Sequence, residues 1–352
     1  MSDSDSTSHT VLPAAFLDAH HHYVDSSLPC ATFLASLAGD SLKYTPEQYR
    51  ADVRDNLAKA GVEFLGSVHI EAMPDDGAEE VKWIEGMRSE GRDERIRSIV
   101  GSVDLAGEGA ADDIAKLKAA SDRICGVRWM LDCVGKFDGG KSATHPATMR
   151  HDGVDYLRGS DGGYDGSAVK AFEDGFALLA EAGLSFDLQC APVQLKAAAE
   201  LFGRHPGVPI AIDHLGKPRK VLGDSNDREK PDEEELRVWR DGMAAMAALP
   251  HTYAKISMLG YIIPGWHEDA KKEDVVKGLV LEVVEMFGPE RCMVASNWWA
   301  NAAMSDSDGA FESGPGAAQL LRILSCWFEE KYSKKDQEKL FVGTAKKFYK
   351  ID

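Results

Sequence analysis

The sequence lacks the features that would direct it to a membrane or a nucleic acid. No apolar run approaches the ~20 residues needed to span a bilayer. Basic residues are few, since 40 Lys and Arg stand against 58 Asp and Glu, which gives a formal net charge of -18. Phosphate-backbone binding depends on clustered Lys and Arg. The composition therefore predicts no membrane or nucleic-acid partner, and we expect a small-molecule substrate.

Two further absences concern the N-terminus and the cysteines. Met1–Thr10 has neither a basic start nor an apolar core, so we expect residues 1–12 to be a disordered tail and not a signal peptide. The six cysteines contain no C-x-x-C pair. We interpret them as reduced thiols of a cytoplasmic protein, with a nucleophilic cysteine as the alternative. Whether the chain forms a homo-oligomer stays open.

What the chain does contain is a regular succession of strand-like runs, separated mostly by amphipathic helical segments. Strand, helix and strand repeated in this way favour a parallel sheet, and eight units favour its closed form, the α/β architecture called the (β/α)8 or TIM barrel. An open doubly wound sheet is the alternative. We expect residues 13–352 to form one such barrel, with these strands: Phe16–His20, Phe64–Ile70, Ile96–Val100, Ile124–Trp129, Leu184–Gln189, Val208–Asp213, Thr252–Ile256 and Cys292–Ser296.

The clearest predicted helix is Pro46–Ala60, in which an apolar residue recurs at every fourth position. Thr45 is a suitable N-cap with Gln48 three residues later, and Gly61 can end the helix in the left-handed conformation. A second helix is expected at Ala168–Ala182. Both predictions rest on local pattern alone.

Segments that leave several strands are long and polar, whereas the turns that enter strands are short. In a barrel all of these long segments lie at the C-terminal face, where binding sites form. We expect the two longest to form lids or capping insertions, with ordinary surface loops as the alternative. The long segments are Asp132–Gly166, Leu215–Glu235, Met258–Glu273 and Trp298–Gly316.

The first predicted strand ends in Asp18-Ala19-His20-His21-His22. Strand alternation predicts Asp18, His20 and His22 on one side and His21 on the other. Two imidazoles at this spacing can reach one metal ion, and zinc accepts such nitrogen ligands. A polar strand end without a ligand role is the alternative.

Other strands end in polar residues at the same height of the barrel. His214 follows the sixth strand, His69 and Glu71 end the second, and Arg128 lies in the fourth. Because inward residues at the top of a barrel surround one cavity, we expect these side chains to converge. A surface ion pair is the alternative for Arg128.

Several motifs occur together in an order that resembles the amidohydrolase 2 family, from about Phe16 to Tyr349. The resemblance is strongest to the branch that contains sugar lactonases and 2-pyrone-4,6-dicarboxylate lactonase. The motifs are Asp18-x-His20-x-His22, Gly126-Val127-Arg128, Phe186-Asp187-Leu188-Gln189, Asp213-His214-Leu215-Gly216-Lys217-Pro218 and Gly343-Thr344-Ala345-Lys346-Lys347-Phe348-Tyr349.

The resemblance implies a hydrolase that acts on a lactone or related cyclic ester, sugar-derived or anionic. It implies His20, His22 and His214 as site residues and ligands of one divalent metal, with Zn2+ as the first candidate. It also implies that Arg128 contacts an anionic or carbonyl oxygen of the substrate. A metal-free mechanism, in which arginines polarise the carbonyl, stays open.

Two positions depart from the family pattern. Asn297 stands where the family usually places an aspartate that activates water or binds metal, and an amide cannot act as a general base. Gln189 stands where many metal-bearing members have histidine. Both changes predict a poorer metal cage.

The predicted mechanism is attack of water on the lactone carbonyl, with Arg128, a metal or both stabilising the oxyanion. His214 or His22 accepts the proton, Glu71 orients one of them, and Asn297 belongs to the same catalytic group. Two other functions stay open: a nonoxidative decarboxylase of an aromatic acid, and a catalytically silent binding barrel.

The remaining candidates are predicted to contact the substrate. Lys217 and Arg219 would make a local positive rim that favours an anionic substrate, and a solvated basic loop is the alternative. The full predicted substrate-binding set is His69, Glu71, Gln189, Lys217 and Arg219.

Overall fold

The computed structural model describes most of the chain. Among the described residues, no helix combines the length and apolar character that crossing a bilayer requires. The expected N-terminal tail lies outside the described residues except for Leu12. Of the two expected lid segments, most of Asp132–Gly166 and part of Leu215–Glu235 also lie outside them. The described residues are 12–39, 41–93, 95–133, 151, 154–158, 166–219, 221–223, 228–231, 233–298, 300 and 314–352.

Eight parallel strands pair in chain order, each with the next along the sequence. All eight coincide with the predicted runs, although several begin or end a few residues differently. The strands are β1 (Ala15–His21), β2 (Glu63–Ile70), β3 (Ile96–Ser102), β4 (Ile124–Arg128), β5 (Ser185–Leu188), β6 (Ile210–Ile212), β7 (Thr252–Ile256) and β8 (Cys292–Val294).

The sheet closes between its first and last strands, just beyond the end of β8. The Asn297 N–H donates to the His20 carbonyl at 2.8 Å, and the His22 N–H donates to the Trp298 carbonyl at 2.7 Å. His21 and Trp298 form a parallel bridge. The predicted closed barrel is therefore confirmed over the open sheet.

Helices follow the strands along the chain, and a separate two-stranded ribbon joins Val24–Asp25 to Lys43–Tyr44. The helices are α1 (Thr32–Ala38), α2 (Pro46–Tyr49), α3 (Asp55–Lys59), α4 (Gly77–Ser89), α5 (Ala110–Ala120), α6 (Gly166–Ala182), α7 (Leu195–Gly203), α8 (Glu233–Ala247), α9 (Ala270–Phe287), α10 (Ala317–Glu329), α11 (Lys334–Glu338) and α12 (Thr344–Phe348).

The predicted helix Pro46–Ala60 forms with one difference, a π-helical stretch at Arg50–Arg54 between α2 and α3. Gln48 accepts a hydrogen bond from the Thr45 N–H at 3.0 Å, and Gly61 ends the helix with a φ of 78°. Apolar residues four apart drift around a regular helix of 3.6 residues per turn. The wider π turn keeps them on one buried face.

Aromatic side chains join α6 to the barrel wall. Phe172 and Phe176 lie on one face of α6, and their ring centroids are 6.0 and 5.4 Å from that of Phe186 on β5. Phe202 of α7 adds a further contact, 4.9 Å from Phe176. These ring contacts hold one face of α6 against the barrel wall.

The close approach of α6 to Leu105 gives a stability prediction. A Cβ at Gly175 would lie 1.9 Å from the Leu105 carbonyl oxygen, so Gly175→Ala should lower the free energy of unfolding by about 1–3 kcal/mol. Gly278 of α9 is exposed with nothing within 4 Å of such an atom. The control Gly278→Ala should therefore raise stability by about 0.5–1 kcal/mol. Urea denaturation measures both, and a Gly175→Ala protein as stable as the parent would contradict this packing.

Candidate active site

The carboxyl ends of the strands bring His20, Asp213 and His214 together. Their ligand atoms all lie within 4.8 Å of one another, and all three side chains are buried. The ring centroids of the two histidines are 4.9 Å apart. Ser257 fixes the other side of the His214 ring, with its Oγ 2.8 Å from Nδ1. The two predicted histidines thus do meet, and Asp213, which sequence reasoning did not select, completes the group.

His22 lies beside this group and is not one of its three members. Its Nε2 is 3.1 Å from His20 Nε2 and 3.2 Å from Asn297 Oδ1. Its Nδ1 is 2.8 Å from the Ile70 carbonyl oxygen. A carbonyl oxygen only accepts hydrogen bonds, so the His22 proton resides on Nδ1. Asn297 therefore faces the site, as its place after the last strand predicts.

Strand alternation fails in the second half of β1. The register with β2 shifts between Asp18 and His21. The Asp18 carboxylate accepts hydrogen bonds from the Tyr49 hydroxyl at 2.7 Å and the Ser296 N–H at 2.8 Å. It thus contacts the helical layer, whereas His20 contacts the barrel interior. The prediction that Asp18 and His20 share one side is wrong, because the irregular register interrupts the two-residue period.

His69 lies away from the cluster, on the side of β2 that packs against α4. Its ring stacks on Tyr23 with centroids 5.9 Å apart, and the His21 ring is 5.7 Å away. Its Nε2 is 4.0 Å from the Glu80 carboxylate of α4. This position does not place His69 where it was expected to contact substrate, so it has no part in the function proposed below.

Glu71 anchors Arg128 in the barrel mouth. The Arg128 Nε lies 2.5 Å from Glu71 Oε1, and Nη2 donates to the Glu71 carbonyl. Within the described part of the chain, the contacts of the third nitrogen, Nη1, are long: 3.4 Å to His20 and 3.5 Å to Gln189 and Asp213. The Arg128 side chain is only 2% exposed, which rules out the surface ion pair. Glu71 therefore orients the arginine, not a histidine as expected.

Lys255 of β7 is a site residue that sequence reasoning missed. The side chain is fully buried, and its Nζ contacts Asp187 Oδ2, lies 3.0 Å from Asp213 Oδ1 and lies 3.0 Å from His20 Nδ1. Tyr349 near the C-terminus donates its hydroxyl to Asp187 at 2.9 Å. The available signal was a lysine inside an otherwise apolar strand, because buried charges require partners.

The basic residues after β6 are buried and not solvated. Lys217 Nζ is 2.7 Å from Asp132 Oδ1, and Gln189 donates to the other Asp132 oxygen at 3.2 Å. Arg219 is only 3% exposed. The alternative of a solvated basic loop is therefore wrong. Through Gln189 and Asp132, Lys217 is linked to the environment of Arg128.

Backbone strain is concentrated at the ends of β6, β7 and β8. His214, Leu215 and Lys217 have φ values of 54°, 53° and 58°, and Met258 and Asn297 have values of 53° and 52°. Non-glycine residues in this region cost on the order of 1–3 kcal/mol each and persist where surrounding structure holds them. Such a concentration at one end of the barrel supports a functional role for that end.

Burial controls the protonation of the site. It lowers the pKa of His20 and of His22 well below the usual value and lowers the pKa of His214 to about 3. Burial alone would raise the pKa of Asp213, but Lys255 and His20 hold it well below its ordinary value. At neutral pH the histidines are neutral and Asp213 is ionised.

The cysteines carry no sign of nucleophilic chemistry. None of the six forms a disulfide bond. Burial raises the pKa of Cys30 to about 11 and that of Cys125 to about 12, and it also raises the pKa of Cys133 and Cys190. A reactive cysteine requires a lowered pKa. These four thiols therefore fit the structural interpretation, and the nucleophilic alternative gains no support from them.

The donors of two of the three residues, His20 and Asp213, already face positive charges, which bears on whether a divalent metal fits. His20 Nδ1 lies 3.0 Å from the Lys255 ammonium, and His20 Nε2 lies 3.4 Å from Arg128 Nη1. The Asp213 oxygens lie 3.0 Å from Lys255 and 3.5 Å from Arg128. A metal ion would need these lone pairs and would sit beside two cations. As arranged, the residues do not fit a divalent metal.

A cavity of about 410 Å³ is lined mainly by residues at and beyond the ends of β2, β3 and β4, with Arg128 outside the lining. Glu71 lines it and connects it to Arg128. Trp129 forms one wall, with His151 and Tyr156 at centroid distances of 4.3 and 4.8 Å. The lining also contains four carboxylates and one lysine: Asp75, Asp76, Asp104, Asp113 and Lys116.

A family model described as amidohydrolase matches residues 17–351. The chain belongs to this amidohydrolase family. The match covers nearly the whole barrel and confirms the resemblance drawn from the ordered motifs. Membership makes the protein an enzyme of the hydrolase type.

Individual known proteins share 20–26% sequence identity with this chain. The uncharacterized protein y4mH of Sinorhizobium fredii is 26% identical over 350 residues, 96% of this chain and 99% of that protein. An L-fucono-1,5-lactonase of Burkholderia multivorans is 25% identical over 195 residues, 53% of this chain and 60% of the lactonase. A zinc-bound amidohydrolase crystal structure from the same species shares the fold, with a TM-score of 0.67, 20% identity, and coverage of 96% and 100%.

The contact between Asn297 and His22 gives a prediction for the site. Asn297→Asp should raise the pKa of His22, because it places a carboxylate where the amide oxygen now lies 3.2 Å from Nε2. NMR titration of the His22 ring measures the change, with the neutral Asn297→Ala as control. A His22 pKa equal in all three proteins would mean that position 297 does not contact the ring.

Proposed function

We propose that the protein hydrolyses a lactone or related cyclic ester. The observation that carries this proposal is the hydrogen bonding of the Arg128 guanidinium. Two of its nitrogens are held by Glu71, while Nη1 lies 3.4–3.5 Å from His20, Gln189 and Asp213 and makes no shorter hydrogen bond to any residue that the structure describes. A buried guanidinium N–H that is positioned but loosely bonded can bind a carbonyl oxygen as it becomes negative.

In the proposed reaction, water attacks the lactone carbonyl and the oxyanion is stabilised by Arg128 Nη1. The proton of the water passes to His214, whose low pKa keeps the ring unprotonated at neutral pH. The charge of Asp213 favours the imidazolium that forms. The ring C–O bond then breaks, and the alkoxide takes the proton to give a hydroxy acid.

The adjoining cavity supports a sugar-derived lactone over an anionic one. Its size lies in the range of small-molecule pockets. The rings of Trp129 and Tyr156 offer apolar faces, and carboxylates such as Asp104 can accept hydrogen bonds from hydroxyl groups. The same carboxylates would repel an anionic substrate. The sequence similarity to an L-fucono-1,5-lactonase supports the same class.

A panel of sugar lactones tests the proposal, with acid release as the readout. We expect hydrolysis of at least one neutral sugar lactone, and faster turnover of it than of carboxylated lactones. Aromatic acids are included, with release of carbon dioxide measured. Carbon dioxide release without lactone turnover would support the decarboxylase, and thermal stabilisation by ligands without any product would support the silent barrel; either result contradicts the proposal.

Removal of the oxyanion donor gives the sharpest kinetic prediction. Arg128→Ala should lower kcat/KM on the identified lactone by about 10² to 10³, the usual loss for one such donor. Arg204→Ala, which removes an exposed ion pair with Glu173, is the matched control and should leave kcat/KM unchanged. Circular dichroism checks the fold of both. A near-normal kcat/KM of a folded Arg128→Ala protein would mean that Arg128 has a structural role and does not stabilise the oxyanion.

A further inference from the structure

The buried Lys255 determines how His20 can use its two ring nitrogens. An ammonium group has three N–H donors and no acceptor. Its Nζ is 3.0 Å from His20 Nδ1, so this nitrogen must present its lone pair. A neutral imidazole has one protonated nitrogen, which places the His20 proton on Nε2.

Two contacts of His22, with Ile70 and with His20, lead to the same conclusion. His22 Nδ1 donates to the Ile70 carbonyl at 2.8 Å, so its Nε2 can only accept. That Nε2 is 3.1 Å from His20 Nε2, and a hydrogen bond between them requires the proton on His20. Two contacts of 3.0 and 3.1 Å therefore agree on one tautomer.

The opposite tautomer has weaker support. It would require His20 Nδ1 to donate to Asp213 Oδ1 at 3.4 Å and His20 Nε2 to accept from Arg128 Nη1 at 3.4 Å. It would also set an N–H of His20 against the Lys255 ammonium. Hydrogen bonds weaken with distance beyond about 3.2 Å, so the shorter pair of contacts decides.

A histidine binds a metal ion through the lone pair of an unprotonated ring nitrogen. In this tautomer His20 Nε2 carries the proton, and the lone pair of Nδ1 accepts from Lys255. The same ammonium lies 3.0 Å from Asp213 Oδ1. We infer that Lys255 fixes the proton of His20 on Nε2 and thereby withholds His20 and Asp213 from a divalent metal ion. This role does not depend on the identity of the substrate.

Lys255 is held in place from the far side of the site. Asp187 pairs with its Nζ, and the Tyr349 hydroxyl donates to that carboxylate at 2.9 Å. The Nζ also lies 5.4 Å from the centre of the Tyr349 ring. The ammonium therefore cannot leave His20 without breaking a buried ion pair, which is costly.

Zinc affinity tests the inference without any substrate. Zn2+ is titrated into the protein against a chromophoric chelator. Lys255→Met should bind Zn2+ about 10- to 100-fold more tightly than the parent, the size of effect known for groups that contact metal ligands. Adding His20→Ala to Lys255→Met should return the affinity to the parent value. The matched control is Lys217→Met, which removes a buried lysine that pairs with Asp132. It should change the zinc affinity less than about twofold.

Two further measurements keep the inference testable if Lys255→Met does not fold. Lys255→Met combined with Asp187→Asn removes both members of the buried ion pair and should show the same gain in zinc affinity. In the parent protein, nitrogen-15 NMR of the histidine rings should show His20 protonated on Nε2. Unchanged zinc affinity in both Lys255 variants, or a His20 proton on Nδ1 in the parent, would overturn the inference.

Discussion

Two buried cations, Arg128 and Lys255, organise the carboxyl end of this barrel. A charge removed from water costs several kcal/mol unless it is paired and hydrogen-bonded. Glu71 and Asp213 supply such partners, and Arg128 and Lys255 both contact Asp213. Because His20 contacts both cations, its position and tautomer follow from the way these charges are satisfied. The arrangement of the site is thus a consequence of charge burial.

The short segments that close the barrel also carry residues of the candidate active site. The backbone after β8 pairs with β1 through the Asn297 N–H and the His20 carbonyl, while the Asn297 side chain contacts His22. The left-handed conformation of Asn297 is therefore held by the hydrogen bonds that close the sheet. A change in this segment would alter both the barrel and the histidine cluster.

The fold could be predicted from the sequence because its signals are local: eight strand-like runs with helical segments and capping residues between them. It was harder to predict on which side of its strand a residue lies. A register shift puts the Asp18 side chain on the opposite side of β1 from the His20 ring. β2 ends before Glu71, and His69 and Glu71 do not share an environment. Lys255 was missed because its partners come from other strands, and pairing across strands is not visible in the local pattern.

We propose that Arg128 supplies the positive charge that stabilises the oxyanion, while Lys255 holds the donors of His20 and Asp213 that a metal ion would need. The most direct test is the rate of lactone hydrolysis after exhaustive treatment with a chelator, using a lactone that the protein turns over. We expect an unchanged rate and no gain when Zn2+ is added back. A rate that is lost on chelation and restored by Zn2+ would contradict it.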